Sequence, residues 1–158
     1  MPSTAKEFFT LMVEPTVKEF IQSPHDLRRG LLAAMVLNHM TDHFAMENFS
    51  ETDPASMRKQ LNKVREDIHR IHPDFQFIQN VSDATKHSKL SIPENKTARE
   101  ITSSTQISST PGLFHAPFPE GRFLEAAVVF ATLKDGSSKP LLPQVEAVLE
   151  IWRSKLWP

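Results

Sequence analysis

The stretch from Ser23 to Phe49 has the makings of a helix that is apolar on nearly every side. At about 100° per residue, Leu32, Met35, Val36 and Met46 fall on one side, with Leu37, Met40 and Phe44 around the next. A helix lacking a broad polar face cannot lie on a surface, so other elements have to surround it. Ser23 and Pro24 read as its N-cap and first helical residue, with Asp26 in the first turn, where the helix dipole favours a negative charge.

The surrounding elements are legible on both sides. Upstream, Thr4-Ala-Lys-Glu7 matches a capping box. Pro15 should break or kink the helix it opens, leaving a second short helix to about Ile21. Downstream, Asp53-Pro54 opens a helix whose Met57, Leu61, Val64, Ile68 and Ile71 form one apolar stripe, with Lys59, Lys63, Glu66 and Asp67 left to water. His72-Pro73 ends it, and Asp74 can cap a further helix carrying Phe77, Ile78, Val81 and Ala84, which fades near Lys89.

From about residue 97 the composition turns to Thr and Ser with interspersed Ile, which favours extended chain. Strands are expected over about 98–109 and 122–133, the second with an unbroken apolar run at 126–131. Asp135-Gly136 is a turn signal, and a short third strand over 138–141 would complete a meander. The loop 111–121 holds three prolines with Phe114 and Phe118, an apolar content suited to packing. Pro143 starts a last helix with Val145, Val148, Leu149, Trp152 and Leu156 on one face. The expectation is an α+β fold, mainly α, in a single domain 1–158. A bundle of four or five helices fills 1–90, a small antiparallel β meander 97–141, and a C-terminal helix at 142–157 packs back.

Composition narrows the function classes. With 18 basic and 19 acidic side chains, the chain has no cationic excess for a polyanion, so RNA is weakly supported and no DNA signature exists. The absence of cysteine excludes disulfides, thiol catalysis and cysteine-ligated metals. Met1–Thr10 lacks an apolar signal core and no long apolar run follows, so a cytoplasmic protein without a membrane segment is expected. The four glycines are isolated at 30, 112, 121 and 136, which rules out a glycine-rich phosphate loop, and no G-x-S-x-G elbow is present.

Five of the seven histidines fall between residues 39 and 87. His39 and His43 lie one helical turn apart with Asp42 beside them, and their angles put them on the side of Leu32, Met35 and Met46. On the helix after Asp74, Asp83 and His87 extend a polar stripe begun by Gln76 and Asn80. Two inward His/Asp pairs on neighbouring helices are the geometry that holds a metal in a bundle, so His39, His43, Asp83 and His87 are candidate ligands for a divalent ion such as zinc, iron, nickel or manganese. The same groups, with Asp42, Asn80 and Lys86, could instead form an internal polar network in which each carboxylate fixes an imidazole. The short motif H-E-x-x-H is absent. A second set, Arg58, Arg65, His69 and His72, borders the apolar stripe at Leu61; its bland reading is a solvated basic face.

Arg65 and His72, separated by six residues, resemble the Arg-x(4–6)-His motif of HEPN-type helical bundles, many of which are RNA-cleaving toxins or nucleotide-binding partners. The resemblance implies Arg65 and His72 as candidate catalytic residues, Arg65 holding a phosphate and His72 supporting attack by the ribose 2′-hydroxyl. Most of residues 25–156 also resembles a group of bacterial helical proteins, through His39 with Asp42 or His43, Lys86-His87, Asp135-Gly136 and Trp152. That implies a HEPN-like bundle with an inserted hairpin. The Arg-Asn pair that often opens the HEPN motif is missing here, since Glu66 follows Arg65. Three readings stay open: a structural or interaction domain that pairs with itself or another protein, a metal-binding bundle, and a HEPN-like RNA-directed endoribonuclease or toxin–antitoxin component.

Overall fold

The computed structural model describes residues 2–91, 99–110 and 128–158. Its helical rod begins with α1 (Ala5–Phe8), where Thr4 Oγ1 accepts from the Glu7 N–H at 3.1 Å and the Glu7 carboxylate accepts from the Thr4 N–H in return. Pro15 does not break the rod. A π-helical turn, Phe9–Val13, precedes it, and the Glu14 N–H reaches back five residues to Phe9 O. The wider turn shifts the carbonyl ladder out of the register in which a proline would clash, so the chain continues as α2 (Glu14–Gln22). The inserted residue also sets which side chains face inward: Phe9, Val13, Val17 and Phe20 are buried.

Helix α3 (Leu27–Met46) is central, with its most extensive packing against α5. It starts later than Ser23-Pro24 would imply. Asp26 is the N-cap and accepts from the Arg29 N–H at 3.0 Å, while Ser23 Oγ accepts from the Arg29 guanidinium. The buried side is that of Leu37 and Met40 and not that of Leu32, Met35 and Met46. Gly30, Ala33, Ala34, Leu37, Asn38, Met40, Thr41 and Ala45 face the interior, whereas Leu32 is 37% exposed and Met35, Val36 and Met46 are half-buried. Small residues let neighbouring helices approach, and the bulky ones are left to cover the outer side. Gly30 marks the closest approach: a Cβ there would sit 3.0 Å from the Phe20 ring and 3.1 Å from Leu141.

Helix α4 (Pro54–Ile71) is capped by Asp53, which accepts from the N–H groups of Ala55 and Ser56. Only Val64 and Ile68 of its stripe are buried; Met57 and Ile71 are exposed. Helix α5 (Phe75–His87) runs deep in the core and ends at Ser88, a non-glycine residue with φ +60°. Asp74 stands at its N-cap position without capping it, because its carboxylate pairs with Lys139.

The β meander follows, with strands β1 (Ile107–Ser109), β2 (Val129–Thr132) and β3 (Ser138–Pro140) in that order, antiparallel throughout. Ile107 pairs with Ala131, and Ala131 with Lys139. The first strand is far shorter than 98–109. Ser103 and Gln106 instead cap a 3₁₀ turn, Ser104–Gln106, with Gln106 Oε1 accepting from the N–H groups of Thr102 and Ser103. Polar side chains that satisfy the local backbone compete with a ladder in this way. The loop 111–121 and the first part of the expected second strand, 122–127, lie outside the described residues. The hairpin turn is as expected, with Gly136 at φ +83° and Asp135 Oδ1 accepting from the Ser137 N–H. Helix α6 (Leu142–Leu156) packs back with Val145, Val148, Leu149, Trp152 and Leu156 buried. One buried cluster joins side chains from Ala5 through to Leu156. The chain is thus mainly helical, with a small three-stranded antiparallel sheet before the C-terminal helix.

Candidate functional site

The polar groups on the inner face of α3 are Asn38 and Thr41, not the histidines. Asn38 Nδ2 donates to Ser82 Oγ on α5 at 3.2 Å, and Thr41 Oγ1 donates to Asn38 O at 2.6 Å. Asn38 Oδ1 is buried and has no partner among the described residues. Both residues sit on the small-residue face, and that face was the signal that could have located them. Ser82→Ala removes the acceptor of the Asn38 amide, and an unpaired buried donor costs about 1–3 kcal/mol. Denaturant unfolding should show that loss with an unchanged slope.

The proposed metal ligands point to different neighbours. His43 stacks on Phe8 of α1, the rings 3.8 Å apart at 12°. Asp83 of α5 pairs with Arg99 at 3.5 Å, and His87 is exposed at the end of α5. His39 is half-buried on α3. Among the described residues no three His, Asp or Glu side chains come together as a metal-holding group. The polar-network residues are equally dispersed. Asp42 faces α4 and pairs with Arg65 at 3.8 Å, Asn80 is buried on α5, and Lys86 is exposed. The physical reason is the roll of α3: with Asn38 turned to Ser82 of α5, Asp42 and His43 look away toward α4 and α1.

Along α4, Arg65, His69 and His72 recur at helical spacing and are half-buried. Arg65 Nε, His69 Nε2 and His72 Nε2 are sealed from solvent without hydrogen-bond partners among the described residues. His69 lies 5.3 Å from the Phe75 ring. Burial, then the nearby Arg65 charge, pushes the His69 pKa below the ordinary histidine value, with Glu66 opposing. Burial likewise lowers His43, with Asp42 opposing. The two depressed histidines make stability fall with acid. Above the ordinary value of 6.5 both states leave them neutral; below it the unfolded chain takes up protons that the folded chain resists. Thermal unfolding should therefore drop in midpoint between about pH 7 and pH 5, and the double variant His43→Phe with His69→Phe should flatten that part of the curve.

Compared with known protein families, curated proteins and solved structures, the chain matches none. No helix of the described residues is long and apolar enough to cross a membrane.

Proposed function

We propose that this chain is a cytoplasmic, non-catalytic interaction domain that associates with a second copy of itself through the rod α1–π–α2. The observation that carries this reading is the exposure of large apolar side chains on that rod: Leu11 is 62% exposed, Met12 44% and Ile21 39%. Three consecutive outward residues, Thr10 to Met12, sit on the π turn, a distortion often found at functional positions. Beside them a groove between α2 and α6 is lined by Ile21 and Leu149 and edged by both signs of charge, Lys18 and Arg153 against Glu14, Glu146 and Glu150. A two-fold contact needs a surface complementary to itself, and a near-balanced mixture of charges around apolar residues meets that condition. The carboxylates Asp42, Asp83 and Glu14 join elements within the chain, Asp42 to Arg65, Asp83 to Arg99, and Glu14 to Arg153 at 2.7 Å, which suits a structural role.

Light scattering after size exclusion tests it. The native chain should run as a dimer at about 100 μM, and Leu11→Lys should return it to a monomer with the same helical spectrum. A native chain that stays monomeric at that concentration overturns the reading.

A second reading, an RNA-directed HEPN-like nuclease, draws support from the half-buried placing of Arg65, His69 and His72 at successive turns at the C-terminal end of α4. Purified protein that degrades RNA, and loses that activity in His72→Ala, would establish it in place of the first.

A further inference from the structure

Independent of self-association, a small cleft lies where the start of α5 meets the residue 99–100 segment and the β2–β3 hairpin, with a volume of about 250 Å³. That is below the roughly 300–1,000 Å³ of pockets for drug-sized ligands, so the cleft has room only for a small molecule. Asn80 reaches it from the floor. This residue is only 5% exposed and its amide makes no hydrogen bond among the described residues, yet it is not one of the sealed unpartnered groups, so its polar end opens to the cleft. A buried amide is ordinarily satisfied, and one that opens into a cleft takes its partner from what fills the cleft, water or a ligand.

The charges around the cleft are matched. Arg99 and Lys139 bring two cations, and Asp74 and Glu100 bring two carboxylates. Lys139 is held in place by Asp74 and lies 5.1 Å above the Phe77 ring, while Arg99 is held by Asp83 at 3.5 Å. Asp74 leaves the N-terminus of α5 uncapped by its side chain, so that end of the helix also favours an anionic group. A plain anion would meet two carboxylates, and a plain cation would meet Arg99 and Lys139. A ligand carrying both charges within a few ångströms meets neither conflict.

The geometry points to a binding site for a free α-amino acid in its zwitterionic form. Its carboxylate is received by Arg99, Lys139 and the Asn80 amide, and its ammonium group by Asp74 and Glu100. Its side chain lies against Phe77 and Leu133. The polar stripe Gln76–Asn80–Asp83 then has a use: the first two residues line the cleft, and the third fixes Arg99.

Calorimetric titration of the full chain at neutral pH tests this with glycine, alanine, glutamate and lysine as probes, and with acetate and methylammonium as single-charge controls. At least one amino acid should bind one to one with a Kd of about 1 mM or tighter, and both controls should bind at least about tenfold more weakly. Asn80→Leu should abolish binding. Since Asn80 is buried and that variant could fail to fold, Arg99→Gln and Lys139→Gln serve beside it. Each should fold and weaken the amino acid by about tenfold. No binding of any amino acid at about 10 mM overturns the proposal. Acetate binding as tightly as the amino acid, or unaltered affinity in Arg99→Gln and Lys139→Gln, overturns it equally.

Discussion

A chain ended after Leu141 should lose its cooperative thermal transition. The deletion removes Val145, Val148, Leu149, Trp152 and Leu156, all buried, and uncovers the faces of α2, α3 and α5 against which they pack. Burying one large apolar side chain is worth about 1.5–3 kcal/mol, so five such losses are as large as the roughly 5–15 kcal/mol by which a domain is stable. Glu14 also loses Arg153, its inter-helix partner. Circular dichroism would retain some helical signal from the remaining segments, but the melt should be broad and without a midpoint. A sharp, reversible transition in the shortened chain would show that α6 is an accessory and not a wall of the core.

Trp152→Ala should destabilise the full chain by about 3–5 kcal/mol, the range for emptying a buried aromatic site. For a protein of this length that lowers the midpoint by roughly 10 °C. Trp152 is completely buried, its ring lies 5.5 Å from that of Phe44, and its indole N–H donates to Leu37 O at 3.2 Å. Trp152→Phe separates the two contributions, since it keeps most of the ring and removes the donor. Its loss should be nearer the roughly 1 kcal/mol net value of one hydrogen bond plus the smaller volume. Equal losses in the two variants would place the energy in the hydrogen bond and refute the packing argument.

The helical order, the turn at Asp135-Gly136 and the inward face of α6 were legible because each rests on a local rule: a capping side chain, a proline at the first turn, or a spacing of three and four. The roll of α3 was not. Its apolar residues run almost all the way round, so periodicity alone cannot choose among faces. Packing settled on a face rich in small residues, Gly30, Ala33, Ala34 and Ala45, with Gly30 close against Phe20 and Leu141. That single rotation moved His39, Asp42 and His43 out of the seam with Asp83 and His87 and put Asn38 and Thr41 in it.

The candidate cleft shows the same division. Gln76, Asn80 and Asp83 stand on one stripe of α5 by helical spacing alone, and that much belongs to the sequence, as do the caps, the helix ends and the meander. Asp74 was readable as a helix cap, but the approach of the β2–β3 hairpin brought Lys139 to its carboxylate. The arrival of Arg99 beside Asp83 is also a contact between distant parts of the chain. Local hydrogen-bonding patterns write elements into a sequence because their partners are three or four residues away. Which charges share a cleft depends on how those elements pack, and only the tertiary structure decides it.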